Sequence, residues 1–156
     1  MERTGYWAFF CNPQRYSIDK TLSQGDAFVA WQISKGQEGM FKVGDKGVIR
    51  VAVDKRTDVK RNLDPGVYAF CEVIGLPHLR EKAEQFWVEK PQGYNERIVV
   101  DLKITNNLLS NPIHINTLKD HPLFNDRLFI FSGYGFYSAF PISKTNFELI
   151  QSLSVI

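Results

Sequence analysis

A two-residue alternation over Gly66–Ile74 is the feature of this sequence that most restricts its fold. One face of the segment carries Val67, Ala69, Cys71 and Val73, and the other carries Tyr68, Phe70, Glu72 and Ile74. A period of two is the period of a β-strand, and small residues along one face fit the tight interior of a β-barrel. The sequence therefore predicts a mainly β fold.

Other strand-like and helix-like segments surround this one. A continuous apolar run at Tyr6–Cys11 is typical of a strand that is buried on both faces. Further strands are predicted at Ala27–Ile33, Val48–Val53, Arg97–Ile104 and Leu128–Phe131, and short helices at Pro13–Leu22, Leu79–Trp87, Asn116–Asp120 and from Thr145 onward. Together these segments predict an α+β, mainly β domain of five or six strands with small flanking helices, spanning residues 1–156.

Length and composition set the class of protein. The chain has 156 residues, 44% of them hydrophobic, and this length fits one domain. No run approaches the roughly 20 apolar residues that a membrane helix needs, and Met1–Gly5 leads directly into strand-like sequence without a secretory signal. We therefore expect a cytoplasmic protein with no membrane partner. A formal net charge of +2 is too small to indicate nucleic-acid binding by itself.

Metal, cofactor and catalytic signatures are not found in the sequence. Cys11 and Cys71 each lie within an apolar strand pattern, which predicts two reduced core thiols. The histidines lack the spacing of zinc ligands, so no metal site is expected: His78, His114 and His121. No nucleophile–base or glycine-rich phosphate motif is found, and the carboxylates Asp45, Glu72 and Asp101 are dispersed, so we expect neither a cofactor nor an enzymatic activity.

Aromatic residues are frequent, at 13% of the chain, and they serve either a core or the stacking of nucleobases. Several lie in ordered motifs: Trp7–Tyr16 (WAFFCNPQRY), Trp31–Lys35 (WQISK), Phe41–Asp45 (FKVGD) and Gly66–Val73 (GVYAFCEV). In this order the motifs resemble the EVE domain, a member of the PUA-like barrel group that includes the YTH readers. The resemblance is close over residues 6–75; beyond them a Ser132–Gly133 turn, Pro141 and a terminal helix are more loosely similar.

The resemblance implies a PUA-like β-barrel with a pocket that admits a base swung out of its stack. The chain looks like the subtype found in modification-dependent restriction systems. That subtype implies a non-catalytic targeting module that binds double-stranded DNA containing 5-methylcytosine or 5-hydroxymethylcytosine, with a fused or separate nuclease as partner. The alternative is an RNA-binding, YTH-like module that recognises modified RNA, although a long loop suited to a DNA groove favours DNA.

Aromatic walls and a few fixed polar groups are what such a pocket needs. We expect Trp31 and Tyr68 to be the walls of a slot open to solvent, and Asn12 and Ser34 to read the base edge. The opposing interpretations place both rings in the core and make Asn12 the cap of the following helix. Aromatic residues beside two glycines are candidates for a lip at the pocket or for packing under the terminal helix: Tyr134, Phe136 and Tyr137.

Cations near the predicted pocket are candidates for contacts with the nucleic-acid backbone. Lys35 follows Ser34, and the long loop from Asp54 to Asp64 carries four more: Lys55, Arg56, Lys60 and Arg61. We expect these five cations to neutralise phosphates and to make binding salt-dependent. The opposing interpretation is a charged loop that is merely solvated.

Overall fold

The computed structural model describes residues 2–81, 84–131 and 139–154. Its strands are β1 (Tyr6–Cys11), β2 (Phe28–Gln32), β3 (Lys46–Val51), β4 (Gly66–Val73), β5 (His78–Leu79), β6 (Ile98–Asn107), β7 (Ile113–His114) and β8 (Ala139–Pro141). Its α-helices are α1 (Ile18–Ser23), α2 (Ile115–Lys119), α3 (Arg127–Phe131) and α4 (Lys144–Leu153), and 3-10 turns lie at Lys35–Met40 and Tyr94–Glu96. None of the helices in these ranges is long and apolar enough to cross a bilayer.

All of these strands belong to one curled, mixed sheet. Its main path runs β2-β6-β4-β3-β1-β8, with β5 paired to β6 and β7 paired to β4. The β1–β3 pair is parallel and the other pairs are antiparallel. A mainly β, PUA-like half-barrel with a few small helices is therefore confirmed. Eight strands rather than five or six are described, because β5, β7 and β8 are only two or three residues long and carry too little pattern to predict.

Two hydrophobic clusters lie on opposite faces of the sheet. The concave interior holds Trp7, Phe9, Cys11, Trp31, Phe41, Tyr68, Cys71 and Leu102, among others. The outer face packs against α2, α3 and α4 and holds Ala8, Val48, Phe70, Phe129, Phe147 and Ile150, among others. Because β1 supplies side chains to both clusters, its predicted burial on both faces is confirmed. Both cysteines are buried free thiols, as predicted.

A β-bulge at Tyr68 breaks the alternation of β4. Ile49 pairs with Ala69 and Arg50 pairs with Val67, so Tyr68 has no direct partner on β3. As a result Tyr68 and Ala69 both belong to the interior cluster, whereas Phe70 belongs to the outer one. The prediction that Tyr68 shares a face with Phe70 is therefore wrong, since a bulge adds a residue to one strand without a local sequence signal.

Two segments fold differently from their sequence patterns. Leu79 ends β5 rather than starting a helix, and Trp87 instead forms an isolated bridge with Tyr16. The predicted strand at Leu128–Phe131 is the helix α3. The carboxylate of Asp126 accepts from Phe129 N–H at 3.0 Å near its start, and the Arg50 guanidinium donates to the Phe129 and Ile130 carbonyls at its end. Arg50 is about 80 residues away in sequence, so periodicity alone misses its contact with this helix.

The other predicted helices are present with changed limits. The first begins at Ile18 rather than at Pro13, because Asn12 to Tyr16 forms a separate turn. The helix predicted near Asn116 is α2, and the terminal helix is α4, which is capped by Ser143. The predicted Ser132–Gly133 turn and the aromatic lip at Tyr134, Phe136 and Tyr137 lie outside the described residues.

Candidate nucleic-acid interface

The free edge of β2 is covered by the segment from Glu84 to Tyr94, and we call this junction the seam. Ile33 N–H donates to the Ile98 carbonyl, and Ile104 N–H donates to the Ala27 carbonyl. The backbone N–H and C=O groups of the odd-numbered residues of β2 therefore point toward β6. Ala30 N–H therefore points away from β6, and it donates to the Glu84 carboxylate at 3.2 Å. The chain that follows β5 thus lies along a sheet edge that would otherwise be open.

The seam also joins the chain that follows β1. Ser17 N–H donates to the Phe86 carbonyl at 2.9 Å, and Val88 N–H donates to the Arg15 carbonyl at 2.7 Å. Tyr16 and Trp87 form a bridge between these two hydrogen bonds. The segment therefore spans the gap between the edge strand and the turn after β1.

Four aromatic rings form a connected row at the seam: Trp31, Tyr16, Trp87 and Tyr94. Ring centroids are 6.3 Å apart for Trp31 and Tyr16, 5.2 Å for Tyr16 and Trp87, and 5.5 Å for Trp87 and Tyr94. Every contact is edge-to-face. Trp31, Tyr16 and Tyr94 are buried, whereas Trp87 is partly exposed. The row leads from the barrel interior to the partly exposed Trp87 and on to the buried Tyr94. Sequence reasoning missed these last two members, because it predicts a helix over Leu79–Trp87 and assigns no site to this segment.

Unpaired hydrogen-bond donors lie beside this row. The Arg80 guanidinium is 4.0 Å from the centroid of Tyr94 and 5.7 Å from that of Trp87, and its Nη1 donates to the Tyr94 hydroxyl at 3.2 Å. Arg80 Nε and Nη2 and Trp87 Nε1 are buried without a partner among the described residues. An unsatisfied buried donor costs about 1–3 kcal/mol. Such a cluster favours an incoming acceptor.

A groove of about 340 Å³ runs along the outer side of the seam. Its lining includes Arg80, Glu84, His78, Asp101 and Phe28, and the Phe28 ring is 60% exposed. Burial raises the pKa of Glu84, and the hydrogen bond from Ala30 N–H opposes this shift. The Glu84 carboxyl group, which is partly desolvated, and the buried Arg80 guanidinium therefore both line this groove.

Trp31 and Tyr68 do not face each other across an open slot, contrary to the prediction. Their exposed fractions are 6% and 3%, and β6 lies between their two strands. Trp31 pairs with Val100, whereas Ala69, next to Tyr68, pairs with Asn107. This offset corresponds to about 23 Å along β6. The Tyr68 hydroxyl donates to the Asp64 carbonyl at 2.7 Å, which gives this residue a structural part. Trp31 remains at the seam, and its contact with a base stays a prediction.

Asn12 and Ser34 both make local hydrogen bonds. The Asn12 side-chain oxygen accepts from Gln14 N–H at 3.0 Å, and its carbonyl accepts from Arg15 and Tyr16. Ser34 N–H donates to the Gln37 side chain at 3.3 Å, and Gln37 N–H donates to the Ser34 carbonyl. Both residues are half-buried. A local turn accounts for the Asn12 contacts, and capping of the 3-10 turn accounts for those of Ser34. Base reading by either residue stays a prediction.

Arg56 is buried and paired rather than displayed for phosphate. It is 8% exposed, and its guanidinium donates to Asp54 at 2.9 and 2.7 Å and to Asp19 at 3.1 Å. Burial by itself raises the pKa of Asp54, but hydrogen bonds from Arg56 and from Leu63 N–H lower it to about 2. Arg56 already has two carboxylate partners in this structure, and its contact with phosphate stays a prediction.

The remaining predicted cations are exposed: Lys35, Lys55, Lys60 and Arg61. The Arg56–Asp19 pair and a hydrogen bond from Lys55 N–H to the Gln14 side chain tie their loop to the turn after β1. That turn is the one that pairs with Phe86 and Val88 at the seam. The structure therefore brings the cationic loop and Trp87 to neighbouring parts of the surface.

In residues 2–81, 84–131 and 139–154, no group of three or more His, Cys, Asp or Glu side chains is arranged to hold a metal ion.

Comparisons with known proteins identify relatives of this chain. The sequence profile of the EVE domain matches residues 5–153. A hypothetical protein from Leishmania major has 21% identity and a TM-score of 0.63, covering 96% of this chain and 94% of its own. A Pseudomonas syringae protein has 14% identity and a TM-score of 0.64, covering 96% and 99%. Human THYN1 in complex with 5-methylcytosine-containing DNA has 13% identity and a TM-score of 0.60, covering 97% and 98%. No curated protein matches the sequence.

Proposed function

Because the chain belongs to the EVE domain family, we propose that it is a non-catalytic reader of modified bases in DNA. In this proposal it binds duplexes containing 5-methylcytosine or 5-hydroxymethylcytosine and holds the modified base outside the helix. Residues 1–156 act as one cytoplasmic targeting module of a modification-dependent restriction system, whose nuclease is fused or separate. The solved complex of human THYN1 with 5-methylcytosine-containing DNA supports the choice of ligand.

The row of aromatic rings at the seam is the observation that carries this proposal. Extruding a base costs a few kcal/mol, and stacking on an aromatic ring returns about 1–3 kcal/mol per base. Trp31 and Trp87 both contact Tyr16, so one small displacement opens two indole surfaces to the same ligand. A buried methyl group adds about 0.8 kcal/mol, or roughly fourfold in affinity.

A base reaches Trp31 only if the seam opens, because that indole is 94% buried as the structure stands. The strip from Phe86 to Glu89 is held to the turn by three backbone hydrogen bonds, from Ser17, Val88 and Glu89 N–H. At about 1 kcal/mol net for each bond, opening costs about 3 kcal/mol, which two stacking contacts can offset. We therefore propose that the closed seam is the resting form of the pocket.

The exposed loop cations supply affinity that does not depend on sequence. Lys60 and Arg61 form no ion pair with a carboxylate in the described part of the chain, and their loop is anchored beside the seam. Each phosphate that they neutralise makes binding more sensitive to salt. Alanine at both positions should weaken binding to modified and unmodified duplexes equally and reduce the salt slope.

The test measures affinity for matched oligonucleotides that differ at one base: cytosine, 5-methylcytosine, 5-hydroxymethylcytosine or N6-methyladenine, each as DNA and as RNA. We expect the tightest binding to a DNA duplex with a modified cytosine. Trp87→Ala should remove the preference, because it deletes a stacking surface that is only partly buried. Phe131→Ala is the matched control, since Phe131 is 60% exposed on α3, on the outer side of the sheet.

Three results would count against the proposal. Equal affinity of the wild type for all of these bases would remove the reader function. A preference that Trp87→Ala leaves unchanged while the protein stays folded would move the pocket away from the seam. Tighter binding to modified RNA than to modified DNA would select the alternative, a YTH-like RNA reader.

A further inference from the structure

The wall between the seam and the outer groove carries hydrogen-bonding groups that the fold does not use. Arg80 is 93% buried, yet its Nε and Nη2 have no partner among the described residues. These two donors form one side of a planar fork, a geometry that matches two adjacent acceptors. Only Nη1 of the same guanidinium is engaged, by the Tyr94 hydroxyl.

Glu84 supplies an acceptor on the same wall. One carboxylate oxygen accepts from Ala30 N–H, and Glu84 N–H donates to the Tyr94 hydroxyl, which also holds Arg80. The shared hydroxyl holds the Arg80 guanidinium near the Glu84 backbone, and both residues line the same groove. In the described residues no carboxylate lies within ion-pair distance of Arg80, and the nearby Arg80 charge opposes the rise in the pKa of Glu84.

Two donors beside an acceptor match the pairing edge of cytosine. Cytosine presents adjacent acceptors, O2 and N3, followed by the N4 amino donor. Thymine presents O2, then an N3–H donor, then the O4 acceptor, so it sets a donor against the arginine fork and an acceptor against a carboxylate. Both thymine and 5-methylcytosine carry a methyl group at C5, so stacking and methyl burial cannot separate them.

We infer that Arg80 and Glu84 are the specificity-determining pair that admits 5-methylcytosine and rejects thymine at the seam. The inference rests on the proposed function, because it assigns the polar readout of the same pocket. Arg80 donates to O2 and N3 of the extruded base, and Glu84 accepts from its N4 amino group. The Tyr94 hydroxyl holds the Arg80 guanidinium and the Glu84 backbone, and Ala30 N–H holds the Glu84 carboxylate.

The expected discrimination between 5-methylcytosine and thymine can be estimated from other hydrogen-bond contacts to base edges. A well-placed pair of contacts discriminates against a wrong base by roughly 5- to 150-fold in affinity. We expect wild-type protein to prefer 5-methylcytosine over thymine within that range. Single-stranded oligonucleotides are the right probe, since the cost of breaking a base pair then drops out of the comparison.

The experiment compares single strands that are identical except for one 5-methylcytosine or one thymine. Glu84→Gln should lower the preference at least fivefold, because its amide can donate to thymine O4 while its oxygen still accepts from Ala30. Arg80→Lys should weaken binding to the 5-methylcytosine strand, since a point charge replaces the fork. Glu81→Gln is the control: this neighbouring carboxylate side chain is 79% exposed, and the preference should not change.

The outcomes separate this inference from the proposed function. Wild-type protein that prefers 5-methylcytosine to cytosine in duplexes but binds thymine strands equally well overturns the inference alone. A preference over thymine that survives Glu84→Gln also overturns it. Loss of the preference in Glu81→Gln to the same extent would point to general charge rather than to Glu84. If Arg80→Lys unfolds, the wild-type ratio and Glu84→Gln still decide.

Discussion

Replacing Asp54 by Asn should reveal that the Asp54–Arg56 pair is a structural clamp. The Asp54 carboxylate side chain is fully shielded from solvent and accepts four hydrogen bonds: from Arg56 Nε, Nη2 and N–H, and from Leu63 N–H. Removing one partner of a buried ion pair typically costs about 3–5 kcal/mol. Because Asp19 also contacts Arg56, we expect the lower end, about 3 kcal/mol, near neutral pH.

The pH dependence gives a second and independent magnitude. The pKa of Asp54 falls from its ordinary value of 3.8 to about 2 in the folded protein. A lowered pKa stabilises the folded state at pH values above the unfolded pKa, and this stability is lost as the pH falls through the folded pKa. The shift corresponds to about 2 kcal/mol, which should disappear between about pH 4 and about pH 2.

Urea unfolding followed by tryptophan fluorescence across this pH range measures both quantities. The difference in unfolding free energy between wild type and Asp54→Asn should shrink by about 2 kcal/mol on acidification. Asp58→Asn, an exposed carboxylate in the same loop, is the control and should behave like the wild type. A difference that stays constant from neutral to acid pH would refute the argument that hydrogen bonds hold Asp54 ionised.

Further predictions concern other parts of the molecule. Tyr68→Phe should cost about 1 kcal/mol of unfolding free energy by losing the bond to Asp64, without changing base discrimination in binding assays. Gly66→Ala should destabilise by about 1–3 kcal/mol in urea unfolding, because a Cβ there would lie 2.1 Å from the Ile113 carbonyl oxygen. The hydrogen bond to Asp101 raises the pKa of His78. The resulting stabilisation of the folded state is complete below the ordinary pKa of 6.5 and is lost as the pH rises through the folded pKa. His78→Gln should remove this pH dependence from the midpoint of thermal unfolding. Labelled modified DNA incubated with the protein and Mg²⁺ should remain uncut on a gel.

Strands with a clear local pattern were predictable from the sequence. The alternation of Arg97–Ile104 corresponds to β6, and the continuous apolar run of Tyr6–Cys11 corresponds to β1, which is buried on both faces. The bulge at Tyr68 was not predictable, because two-residue periodicity carries no sign of where an extra residue enters a strand. That one insertion changes which face the Tyr68 ring occupies.

The candidate site depends on contacts between segments that are distant in sequence. The resemblance to a family motif singles out Trp31, but Arg80 and Trp87 lie in a stretch for which the sequence predicts a helix that does not form among the described residues. Their importance comes from tertiary contacts: Trp87 bridges to Tyr16, and Arg80 packs on Tyr94. For Arg56 the tertiary contacts have the opposite effect. Its polar loop predicts an exposed cation, but Asp54 and Asp19 surround and bury it.

A crystal structure of the protein with a duplex that carries one 5-methylcytosine tests the central claim most directly. We predict that the methylated base lies outside the helix, against Trp31 and Trp87, with the strip from Phe86 to Glu89 displaced from the turn after β1. A complex in which this base stays paired within the duplex, or in which it occupies a site remote from the seam, would contradict the account.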